Sequence, residues 1–186
     1  MENSFVLVPF PQSEIPEIKI SGTIARERNI LTVHYLLSGK VGNILFPEPV
    51  SQPGRRNELW LATCLEFFIA IPGLPQYWEF NLSPSGEWNA FHIDAYRRVG
   101  FREEDRIREL ELQFLDEIEI YRMNAVIDLN PIIGSGTHIQ AGITAVIQAL
   151  DRHETYWALA HPRSAADFHI RESFTLLLED TDYPWL

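Results

Sequence analysis

Residues 58–98, ELWLATCLEFFIAIPGLPQYWEFNLSPSGEWNAFHIDAYRR, run two alternating strands, a Pro-Ser-Gly turn and a third strand together with almost no spare residues. In LWLATCLEFFIAI the odd positions Leu59, Leu61, Leu65, Phe67, Ile69 and Ile71 are apolar, with Thr63 the exception, so a period of two sends that face to a core. Trp60, Cys64, Glu66 and Phe68 then share the opposite face. The strand YWEFNL repeats the pattern, with Trp78, Phe80 and Leu82 inward and Tyr77, Glu79 and Asn81 outward. If the two strands are neighbours, Glu66, Glu79 and Asn81 occupy one surface. The turn SPSGEW supplies a proline that presets φ and a glycine that accepts a positive φ, so the chain reverses into WNAFHIDAY. There Asn89, Phe91 and Ile93 alternate with Ala90, His92 and Asp94.

Outward from this block, FVLVPF reads as a strand that begins within the first few residues, and ISGTIARERNILTVHYLLSG as two further short strands. NILFPEPVSQPGRRNE has three prolines, a glycine and no periodicity, which predicts a long loop of the kind that often borders a binding site. In REEDRIRELELQFLDEIEIY the residue types favour helix while LELQF and EIEIY alternate, and the alternation favours strands. RMNAVIDLNPI, HIQAGITAVIQAL, TYWALAH and DFHIRESFTLLLE are of strand length, with the Gly-Ser-Gly at 134–136 reading as a hairpin turn. Many short strands at regular intervals predict an all-β, two-sheet antiparallel β-sandwich with few or no helices. At 186 residues the expectation is one domain, 1–186.

The chain is 22% charged and 46% apolar, a globular balance. No apolar run is long enough to span a membrane, and MENSFVLVPFPQ has neither the basic start nor the apolar stretch of a secretory signal, so the reading is soluble and cytoplasmic. A net charge of −11 argues against a nucleic-acid partner, since Arg55–Arg56 and Arg97–Arg98 are too small to reverse that field. The single cysteine, Cys64, forms no internal disulfide and reads as a small strand hydrophobe.

Neither a GxSxG elbow nor a phosphate-binding loop is present. Glu66 and Glu79 on adjacent strands could form a glycosidase-like carboxylate pair, a solvated face or calcium ligands. His161, Asp167 and His169 carry metal-ligand atoms at a spacing that matches no strong motif, and read more simply as a polar rim. Exposed strand aromatics bind sugars by stacking on the C–H face of the ring, with carboxylates and amides taking hydroxyls, and Trp60 and Phe68 are candidates for that role.

LWLATCLEFFI, YWEFNLSPSGEWNAF and YWALAHPRSAADFHIRESFTL resemble DOMON-like domains, β-sandwiches related to family 9 carbohydrate-binding modules. The resemblance runs from Leu59 to Leu178. In those modules a tryptophan and a glutamate six residues on both meet the sugar, which Trp60 and Glu66 match, and Phe168, six residues before Phe174, would be the second aromatic wall. A basic residue of the modules corresponds to Glu79 here, and an asparagine falls at or near Ala165, so His161, His169 and Arg171 would supply a different polar set.

The resemblance implies a non-catalytic module for a sugar-like small molecule at Trp60, Glu66, Glu79, Asn81, His92, His161, Phe168, His169 and Arg171. Some DOMON domains bind haem between a Met and a His, which would use Met123. Calcium, haem, another metal or a protein partner are the alternatives to a sugar.

Overall fold

The structure, a computed structural model, describes residues 2–12, 14–97 and 100–180. Its strands are β1 (Glu2–Val6), β2 (Val8–Pro9), β3 (Ile18–Glu27), β4 (Ile30–Gly39), β5 (Cys64–Ala70), β6 (Tyr77–Leu82), β7 (Trp88–Ile93), β8 (Arg102–Glu103), β9 (Glu111–Glu117), β10 (Ile120–Asp128), β11 (Ile139–Gln148), β12 (Glu154–Ala158) and β13 (Leu176–Leu178). Among the described residues helical structure is limited to 3-10 turns at Val41–Asn43, Leu59–Leu61 and Arg171–Ser173. One sheet has the order β1-β3-β4-β10-β9; the other has the order β2-β12-β11-β5-β6-β7-β8, with β13 also pairing β11. The ladders are antiparallel, and the whole is the two-sheet sandwich that the alternation predicts.

Local chemistry sets the hairpins. Arg28 and Asn29, both at positive φ (48° and 59°), make the two-residue turn whose twist suits β3 and β4. Gly86 (φ 93°) closes β6 onto β7, as the SPSG signal predicts. The core between the sheets takes Ile20 and Ile24 of β3, Val33 and Leu37 of β4, Leu65, Phe67 and Ile69 of β5, Trp78, Phe80 and Leu82 of β6, and Ile143 and Ile147 of β11. Met123 of β10 is fully buried among them and fills core space, so the Met123–His haem pair has no accessible sulfur to offer.

The larger sheet is covered on its other face as well. Phe68, Ala70, Tyr77, Phe91, Ile93 and Phe174 form a second apolar cluster, with Trp60 and Phe168 packed against it. This explains why every residue of β5 and β6 is buried although the strands alternate. Phe174 lies so close to β11 that a Cβ on Gly142 would stand 2.6 Å from its ring, so glycine is what admits this ring.

Three expectations are corrected. β5 begins at Cys64, not at Leu59: Glu58 is left-handed (φ 62°), Leu61 and Ala62 donate back to Glu58 and Leu59, and Leu61 is 60% exposed rather than in the core. DFHIRESFTLLLE contributes only Leu176–Leu178 as strand, because short turns from Ile170 to Phe174 satisfy its backbone locally while Phe168 and Phe174 roof the sheet. Gly134–Gly136 is a crossover between the two sheets rather than a hairpin, since β10 and β11 lie in different sheets. Within 102–121 the strand reading holds for β8, β9 and the start of β10, while 104–110 is held irregular: the Glu104 carboxylate accepts from the Trp78 indole (2.9 Å) and from Arg106 (2.6 and 2.8 Å).

Candidate functional site

A cleft of about 530 Å³ opens on the outer face of the larger sheet. Its floor is Glu66 and Phe68 of β5, Glu79 of β6, Val146 of β11 and Tyr156 of β12. Its rim comes from three loops: Trp60 and Leu61 on the 59–61 turn, Arg97 and Phe101 after β7, and residues 166–169 between β12 and β13.

The loop 43–58 delivers Trp60. Its backbone bonds to the β6–β7 hairpin at Val50–Ser85, Arg56–Trp88 and Trp88–Gly54, and the Arg55 guanidinium lies 4.7 Å over the Trp88 ring. Thr63, the polar exception in the apolar row, is buried with both hydrogen bonds made: its Oγ1 donates to the Leu45 carbonyl (2.8 Å) and accepts from Gln148 N (3.0 Å). Trp60 is half-buried, edge-on to Phe91 at 5.9 Å, and Phe168 is half-buried, edge-on to Tyr156 at 6.1 Å.

On the floor, Glu66 pairs with Asn81 and Phe68 with Glu79, so the two carboxyls occupy diagonal positions of one face. Thr144 Oγ1 donates to Glu66 Oε2 (3.2 Å) and Asn81 Nδ2 donates to Glu79 Oε1 (2.9 Å). Glu66 Oε1, Glu79 Oε2 and Asn81 Oδ1 are buried with no hydrogen-bond partner, a costly condition for three oxygens so close together. Below them the Tyr35 hydroxyl donates across the core to the Glu66 carbonyl (2.7 Å) and fixes the backbone there. Burial, with the Glu79 charge adding to it, pushes the Glu66 carboxyl well above the usual carboxylate range, and burial pushes Glu79 up to about 7. Burial and then the Glu66 charge push the Cys64 thiol up, away from the thiolate that a nucleophile needs.

The rim is tied across one side of the cleft by Asp167. Its Oδ2 accepts from the Tyr96 hydroxyl (2.6 Å) and from Arg97 Nε (3.1 Å) and Nη2 (2.9 Å), while its Oδ1 accepts from His169 N (3.1 Å). Partial burial works against the Asp167 charge, but these donors outweigh it and hold the carboxyl below its usual value. The His169 ring pairs with the Tyr77 hydroxyl through Nδ1 (2.9 Å), and burial lowers its pKa.

Of the residues expected at the site, Trp60, Glu66, Glu79, Phe168 and His169 line the cleft, with Asn81 buried beside Glu79. Three do not come with them. His92 points to the other face of β7, where it stacks on Trp78 at 5.1 Å and meets Arg102, because its neighbours Phe91 and Ile93 take the outer face. His161 bonds the Val8 carbonyl through Nε2 (3.0 Å), away from Asp167 and His169. Arg171 bonds the Leu74 and Gln76 carbonyls and Gln140 and packs on Phe174. Among the described residues no group of three or more His, Cys, Asp or Glu could hold a metal ion. Arg97, Phe101, Glu154 and Tyr156 were not expected in the cleft. Arg97 and Phe101 come in on an irregular loop that no periodicity marks. Tyr156 is displayed by the alternation of β12, which is legible only once its sheet neighbours are known.

The fold so assembled is similar to that of family 9 carbohydrate-binding modules. It superposes on a Bacteroides uniformis ATCC 8492 protein to which carbohydrate binding is provisionally assigned, with a TM-score of 0.72, 15% identity, and coverage of 96% of this chain and 86% of that one. It is similar also to a family 9 carbohydrate-binding module of Caldicellulosiruptor kristjanssonii in complex with glucose (TM-score 0.58, 13% identity, 92% and 81% covered). A family 9 module from the same organism in complex with cellotriose aligns at TM-score 0.50 and 13% identity over 79% of this chain and 68% of the other. The sequence itself matches no protein-family model and no curated protein.

Proposed function

We propose that this chain is a non-catalytic carbohydrate-binding module that holds a sugar ring in the cleft between Trp60 and Phe168. The observation that carries the reading is the pair of cleft-lining carboxyls with partnerless buried oxygens, on Glu66 and Glu79, in a cleft rimmed by two half-buried aromatic rings. Sugar hydroxyls donate to acceptors of this kind while the C–H face of the ring packs on the aromatics, so one ligand class answers both halves of the site. The structural likeness to modules bound to glucose and cellotriose supports it. The DOMON-like character of the sequence segments belongs to the same reading, as a ligand-binding sandwich with no chemistry of its own.

Trp60→Ala and Phe168→Ala test the site. Each is expected to weaken binding of any sugar that the native protein holds by about tenfold or more, read by isothermal titration calorimetry against a panel of mono- and disaccharides. If both variants bind as the native chain does, the sugar is not between these rings and the proposal fails.

A further inference from the structure

We propose, building on that sugar-site reading, that the preferred ligand is an amino sugar whose ammonium group sits on Glu66 and Glu79. Two carboxyl oxygens without partners, Glu66 Oε1 and Glu79 Oε2, belong to side chains that line the cleft and are at most 5% exposed, and the partnerless Asn81 Oδ1 is buried beside them. A hydroxyl brings one donor and no charge, whereas an ammonium brings three N–H donors and the positive charge that two buried carboxyls lack. The described residues of the cleft supply no such cation. Among the described residues that line the cleft, Arg97 is the only lysine or arginine, and its guanidinium is committed to Asp167. Burial disfavours a charge on His169, and Glu154, the remaining carboxylate of the cleft, accepts from the Tyr156 hydroxyl (3.1 Å). An anionic sugar would add negative charge beside two buried carboxyls, and a neutral one brings no positive charge that would let them ionise.

A calcium ion fits less well, since it takes six to eight oxygen ligands and this floor offers two carboxyls beside apolar walls. A simple amine lacks the ring that Trp60 and Phe168 would enclose. The amino sugar alone uses the floor and the walls together.

Calorimetric titration at neutral pH and low salt with glucosamine, glucose, N-acetylglucosamine, butylamine and calcium chloride separates these cases. Glucosamine is expected to bind about tenfold more tightly than glucose or N-acetylglucosamine, the worth of about one charge-assisted hydrogen bond, and Glu79→Gln should bring that ratio close to one. A preference under about threefold, with glucose still bound, overturns this inference and leaves the sugar module standing. Butylamine binding as tightly as glucosamine, or no sugar binding at all, overturns both. Calcium that binds alone and blocks glucosamine assigns the floor to a metal and overturns this inference.

Discussion

Replacing Glu79 by glutamine should remove a loss of stability that the native protein suffers as the pH rises. Glu79 is 5% exposed, one oxygen has no donor, and burial lifts its pKa from 4.5 to about 7. The folded chain therefore keeps a proton that the unfolded chain has already released, so stability falls between about pH 4.5 and about pH 7 and is level above that. At about 1.4 kcal/mol per pH unit the rise in pKa amounts to about 3 kcal/mol, or roughly 6–12 °C in Tm for a chain of this size. The glutamine keeps the oxygen that Asn81 Nδ2 donates to and has no charge to bury; it also removes the charge that adds to the rise at Glu66.

The histidines His92, His161 and His169, whose pKa values burial lowers, work in the opposite direction, making the native protein more stable as the pH rises towards about 6.5. They are present in both proteins, so the quantity to read is the difference in Tm between variant and native, by circular dichroism from about pH 5 to about pH 8. That difference should grow in favour of the variant by roughly 6–12 °C. If it stays constant to within about 1 °C, Glu79 ionises as an ordinary carboxylate and the buried-acid account is refuted.

Two glycines give further outcomes. Gly142→Ala puts a Cβ 2.6 Å from Cδ1 and 3.0 Å from Cε1 of Phe174, so the ring must move; about 1–3 kcal/mol of stability and most ligand affinity should go, with the far-ultraviolet spectrum unchanged, since Phe174 anchors the segment that carries Phe168. Full affinity in this variant, read by fluorescence titration, would show that the rim does not depend on that anchor. Gly22→Ala meets the His34 carbonyl at 1.8 Å, and that backbone belongs to the β3–β4 ladder and cannot step aside, so more than about 4 kcal/mol should be lost. A near-native urea midpoint would contradict the close approach of β3 to β4.

The inward and outward rows of β5, β6 and β7 were legible because period-two alternation is a property of consecutive residues. The same rule put Glu66, Glu79 and Asn81 on one face, needing only that β5 and β6 be neighbours, which the register provides. The limits of legibility are physical too. Leu61 continues the apolar row in sequence but leaves it in space, because the left-handed Glu58 and a 3-10 turn set the start of β5 at Cys64, and neither has a hydropathy signature. Residues 159–175 carry apolar residues at strand-like density because they cover a sheet, a task that demands apolar side chains without demanding extended backbone. The resemblance implies His161 and Arg171 as a replacement polar set, but they lie on irregular segments, which point successive side chains to unrelated neighbours.

The two carboxyls at the centre of a doubly covered sheet are where local rules and overall fold disagree most. Alternation allows a polar residue at 66 and 79 only if that face meets water, yet Phe174, Phe168 and Trp60 cover the sheet and leave a cleft rather than an open surface. Apolar residues at both positions would relieve the partnerless oxygens and extend the second cluster, which already reaches Phe68 and Tyr77 on either side. Residues that cost stability where a cheaper choice is at hand mark places shaped by something other than folding. The same desolvation that raises their pKa values strengthens any donor that enters, because fixed acceptors in a water-poor site interact with a ligand more strongly than solvated ones do. Destabilisation of the empty protein and affinity for a donor-rich ligand are therefore one property of this floor, and Glu79→Gln should trade one for the other.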